Sequence, residues 1–195
     1  MSESTTAPAP RPTPTGSSEQ ATSEQGSSER DELVAILTKH RGLFLVTVRG
    51  LTDEQVRLTP TVSALSLGGL VKHVTATLAQ WLDFVEHGPQ GGAGIDWENP
   101  DPALFEAFAN GFRLLPTETL EQVLADWEAV AARTDALVRS VDLDETHPLP
   151  QAPWFPPDEV WSNRRVFMHV LAEMAQHAGH ADILRESIDD QKTMG

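Results

Sequence analysis

The chain contains no cysteine, which removes disulfides, thiolate metal sites and a cysteine nucleophile together. Any metal site must therefore be built from nitrogen and oxygen donors. No apolar run approaches the ~18 residues of a membrane span. The amino-terminal stretch has neither a basic start nor an apolar core, so it reads as no signal peptide or anchor, and the expected location is the cytoplasm. Basic residues are scarce: 14 Lys and Arg stand against 29 Asp and Glu, a formal net charge of −15. That balance argues against nucleic acid and anionic membranes as partners. No segment alternates like a strand, and no internal repeat is visible. There is no His-Glu-x-x-His, no phosphate-binding glycine loop and no Gly-x-Ser-x-Gly elbow.

Residues 1–28 are almost entirely Ser, Thr, Pro, Ala, Gly, Gln and Glu without an aromatic, and read as a disordered tail. Residues 29–190 form one domain, and 191–195 a flexible carboxyl terminus. Between Asp96 and Glu145, twelve acidic residues face only Arg113, Arg133 and Arg139, which reads as a solvated acidic face. Helical periodicity marks four segments. The first runs from about Glu29 to Arg49 and ends at Gly50. The second starts on Ser66 as a cap and runs to about His87. The third runs from Thr117 to about Val141, and the last from Ser162 to about Ile188. Between the second and third lies a long Gly-, Pro- and Asp-rich connection with one short helix near Pro102 to Phe112. A Pro-rich crossover, His147 to Asp158, precedes the last helix. Four amphipathic helices around one core predict an all-α, four-helix bundle.

The last helix carries His169-Val-Leu-Ala-Glu173-Met-Ala-Gln-His177-Ala-Gly-His180. At roughly 100° per residue, His169, Glu173, His177 and His180 fall within about 80° of one another. Val166 and Leu184 point the same way, so the stripe overlaps the apolar face. A carboxylate aimed inward costs several kcal/mol (order of magnitude) unless it is paired or bound to a cation. Glu173 and His177 stand four apart and can chelate one ion. His73, at the border of the second helix's apolar arc, is the natural third donor. Two histidines and a carboxylate leave coordination positions open, as catalytic metal sites do. The same ligand set would also suit iron(II). The competing reading, that His73 is a hydrogen-bonded core histidine, stays open from the residues alone.

His169 is placed to orient the carboxylate. His180 is the candidate proton shuttle, or lines the site mouth. His40, His87 and His147 are expected in exposed or loop settings and receive no role. Trp154 and Trp161 either wall a substrate pocket or pack in the core, and Gly68-Gly69 permits close helix packing.

The segment Leu-Ser-Leu-Gly-Gly-Leu-Val-Lys-His73, with Asn-Arg-Arg165 leading into His169-x3-Glu173-x3-His177-Ala-Gly-His180-Ala-Asp182-Ile-Leu-Arg185-Glu186, resembles the DinB/YfiT-like superfamily. More narrowly it resembles that superfamily's actinobacterial branch. The resemblance spans about Glu29 to Asp190 and is specific at the two histidine-bearing helices. It implies an up-down-down-up bundle with one divalent metal, zinc or nickel, at its centre. Many members use three histidines. Glu173 departs from that pattern but is similar to mycothiol-dependent maleylpyruvate isomerase, whose metal is held by two His and one Glu; His73, Glu173 and His177 are the implied ligands. Members of known activity are thiol-dependent, and the resemblance implies a metal-dependent S-transferase joining a small-molecule thiol, mycothiol first, to a small electrophile. A metal-binding stress-response bundle without catalysis and a metal-dependent hydrolase remain as alternatives. Exposed aromatics in the connections permit a homodimer.

Overall fold

Three of the four long helices start on a hydroxyl side chain that satisfies amide groups the first turn leaves unpaired. The computed structural model describes residues 18–89 and 98–193, with side chains from residue 28. Among them lie α1 (Ser18–Val46), α2 (Asp53–Val56), α3 (Leu67–His87), α4 (Pro102–Gly111), α5 (Leu120–Ser140), β1 (Thr146–Pro148), β2 (Val160–Ser162) and α6 (Asn163–Asp189). Ser66 caps α3 by accepting from the Gly69 amide. Thr119 and Gln122 form a reciprocal capping box at α5. Ser162 caps α6 at the Arg165 amide.

The long helices form a closed ring in which α1 and α3 each pack on α5 and α6. Cross-helix pairs give the directions. Arg139 meets Asp31 and Arg41 meets Asp135, so α1 and α5 run antiparallel. Arg164 meets Glu29 while Arg185 reaches the Thr47 carbonyl, so α1 and α6 run parallel. Lys72 pairs with Glu118 and Asp83 with Arg133, so α3 and α5 run parallel. The order is up, down, down, up. The bundle is the predicted all-α fold.

Leu37 and Phe44 of α1, Leu70 and Leu78 of α3, Trp127 of α5 and Phe167 of α6 meet in the middle, each 2% exposed or less. Burial of such a side chain contributes about 1.5–3 kcal/mol. Arg185 is as deeply buried as the core, 3% exposed. Its guanidinium donates to the Thr47 and Arg49 carbonyls and to Asp189, tying the end of α1 to the end of α6.

Three features depart from the sequence expectation. Helix α1 begins at Ser18, within the segment expected as tail, whose residues 1–17 lie outside those described. Glu, Gln and Ala are good helix formers, and adding turns to an existing helix is far easier than starting one. The crossover before α6 holds a two-stranded antiparallel ribbon, pairing Thr146 with Ser162 and Pro148 with Val160. Three residues per strand are too few for alternation to show. Finally, α2 is a single capped turn between α1 and α3. Residues 194 and 195 of the expected carboxyl-terminal segment, and 90–97 of the long connection, also lie outside the described part.

Candidate metal centre

His73 lies on α3, and Glu173 and His177 lie one turn apart on the antiparallel α6. The two helices bring one donor atom from each residue within 4.8 Å of the others. His177 Nε2 is 3.6 Å from Glu173 Oε2. The His73 and His177 rings meet edge to face, 5.0 Å between centroids. Donors at zinc bond lengths from one ion stand at most about 4 Å apart, so modest side-chain rotations bring all three onto a cation.

The polar accounting favours that use. His73 makes no hydrogen bond among the described residues. Burial, with the neighbouring His177 as a smaller cause, pushes its pKa down to about 4. Its lone pair is therefore available at neutral pH. Burial likewise lowers His177 and His169, partly offset by Glu173. Glu173 is thus flanked by neutral imidazoles at 3.6 and 3.5 Å, beyond good hydrogen-bond length. Its side chain is only 26% exposed and accepts no hydrogen bond among the described residues. Two neutral imidazoles converging on an unsatisfied, largely buried carboxylate fit a borderline divalent ion such as zinc better than they fit each other.

The supporting residues are placed as follows. His169 Nε2 stands 3.5 Å from the other carboxylate oxygen, Glu173 Oε1. The His169 ring sits edge-on between Trp81 and Trp161, 4.8 and 5.1 Å away. His180 is exposed and stands beyond His177, Nδ1 to Nδ1 at 3.4 Å. Two facing ring nitrogens hydrogen-bond when one carries the proton. With that proton on His177 Nδ1, its Nε2 lone pair is left toward Glu173.

Phe112 stacks on His73 at 3.8 Å, a contact the sequence did not disclose. A glycine makes it accessible. A Cβ at residue 69 would stand 1.9 Å from the Phe112 carbonyl oxygen, so only glycine admits this backbone. The close approach at Gly69 is to a loop, whereas a Cβ at Gly68 would meet Leu114 and Val56 of α2. Lys72 then fastens that loop, donating to the Asn110 and Arg113 carbonyls and pairing with Glu118.

A cavity of about 520 Å³ opens beside the donors, and His73, His169 and Glu173 line one end. Trp154 lines it, whereas Trp161 is buried behind Trp81, the rings parallel at 5.0 Å. Arg165 covers Trp161 and pairs with Glu159. His147, expected in an exposed or loop setting, lies instead in β1, is 17% exposed and packs against Phe84. A larger hollow of about 670 Å³ lies between α1, α2 and α5, but none of the candidate donors lines it.

Comparisons with known proteins bear on the fold and the family. A crystal structure described as a conserved protein of locus from Enterococcus faecalis shares the fold, with TM-score 0.55 and 17% identity over 83% of this chain and 97% of that one. No curated protein matches the chain. A model of the Mycothiol-S-transferase family matches residues 32–190. That match spans most of the chain, and the chain belongs to this family.

Proposed function

We propose that this protein is a metal-dependent thiol S-transferase that joins mycothiol to small electrophiles. The observation that carries the reading is the convergence of His73, Glu173 and His177, with Glu173 otherwise unsatisfied. Family membership supports the choice of thiol. The chain has no cysteine, so the reacting sulfur arrives with the cosubstrate.

His73, Glu173 and His177 would hold the cation. What a divalent ion supplies there, most simply zinc, is Lewis acidity that favours thiolate over thiol near neutral pH. His169 fixes the carboxylate from its outer oxygen. His180 accepts a hydrogen bond from His177 Nδ1 and keeps that ring in the ligating tautomer; being exposed, it is also placed to pass a proton to water. The sulfur lone pair forms the new bond to the electrophilic carbon, the thiol proton leaves to solvent, and any leaving group departs with its bonding electrons. A hydrolytic reading needs a free general base beside the ion. Glu173 is engaged as a donor, and Asp83, the other cavity carboxylate, pairs with Arg133 at 2.6 Å.

The test is mycothiol conjugation with a small electrophile, with and without chelator and in Glu173→Ala. The reading expects the rate to collapse to the uncatalysed level in the last two cases. Equal rates in all three would eliminate it.

A further inference from the structure

The cavity beside the donors has a character of its own. Its walls are Trp81 and Phe84 of α3, Phe108 of α4, and Trp154 and Phe155 of the crossover. Phe108 and Trp154 come from separate connections yet line the same space, 67% and 65% exposed. Large rings so exposed gain burial when a ligand enters between them. Phe108 leads inward through Phe112, 5.3 Å away, to the ring stacked on His73. The aromatic wall therefore runs up to the candidate donors.

Charge narrows the choice further. Among the described residues, no lysine or arginine lines the cavity. Neither residues 98–112 nor residues 146–160 contain one. The lining charges are carboxylates, Glu173 and the Arg133-paired Asp83. A dication held by Glu173 and facing a thiolate has its charge balanced, with none over for a second anion. Thr77 and Gln80 are the neutral donors of the lining, so an anionic ligand would lose its hydration beside rings and carboxylates without a cationic partner.

We infer that this cavity is the electrophile subsite and selects uncharged aromatic molecules, with Phe108 and Trp154 as its specificity residues. The inference rests on the transferase reading for the word electrophile, but its binding test needs no turnover. Isothermal titration calorimetry on the full chain, without thiol and in chelator, compares 2-naphthol, uncharged near neutral pH, with 2-naphthoate. The expected result is saturable 2-naphthol binding, with 2-naphthoate at least about tenfold weaker. Phe108→Ala and Trp154→Ala each weaken 2-naphthol by about fivefold. Both side chains are exposed, so neither truncation threatens the fold. Equal affinity for the two probes, or unchanged affinity in both variants, overturns the assignment. If 2-naphthol binds as described while conjugation is absent, the subsite stands and thiol transfer falls. If chelator-sensitive conjugation runs but 2-naphthol does not bind, the subsite falls and the transferase reading stands.

Discussion

Glu173 gains its meaning from neighbours that are neutral. His73, His169 and His177 are all held below the ordinary histidine range, each chiefly by burial, with His73 at about 4. In the unfolded chain their pKa returns to near 6.5, so between those values the unfolded state binds more protons than the folded one. This stability is fully present above 6.5 and is lost as pH falls toward 4. Thermal melts of metal-free protein should show a lower midpoint near pH 5 than near pH 7.5, and a smaller drop in His73→Gln. Identical midpoints at the two pH values would deny that the histidines are buried neutral. His169 acts through Glu173. His169→Ala should reduce zinc affinity about 10–100-fold by calorimetry while leaving the bundle folded; unchanged affinity would remove it from the site.

The bundle's helices show how far local signals reach. Helices α3 and α6 begin and end within a residue of the sequence reading, because a serine cap opens each and Gly88 closes α3. The His73, Glu173 and His177 grouping was legible because both stripes lie at the edge of apolar faces that must pack together. The start of α1 was not legible, since residues 18–28 have no apolar period to set them apart from the polar segment before them. Nor was Phe112, which reaches His73 through a loop-to-helix approach that no periodicity encodes. Gly69 is the visible end of that contact, and its substitution probes the contact directly. In Gly69→Ala the new Cβ meets backbone, not a movable side-chain tip, so the 112–118 loop must shift. The expected cost is about 1–3 kcal/mol in urea denaturation, together with weaker zinc binding as Phe112 leaves the His73 ring. A variant as stable as the parent, with zinc binding unchanged, would separate the loop from the site.

Across the whole molecule, the acidic excess and the ring of helices have different consequences. The net charge of −15 leaves nucleic acid a poor partner, and no described helix is long and apolar enough to cross a membrane. The ring turns one edge of α3 toward one edge of α6, and the site lies on that seam. The aromatic cavity extends from it toward the two long connections. Composition showed the acidic excess, and periodicity the four helices. The cavity became visible only when the connections were placed, since Phe108, Trp154 and Trp81 are far apart in sequence.

The most direct measurement is elemental analysis by mass spectrometry of protein purified without a metal-affinity resin, comparing the parent with Glu173→Ala. The account predicts a single divalent transition ion, zinc foremost, retained per parent chain and lost from the folded variant. A parent chain that carries no such ion, and takes up none from added zinc, would contradict it.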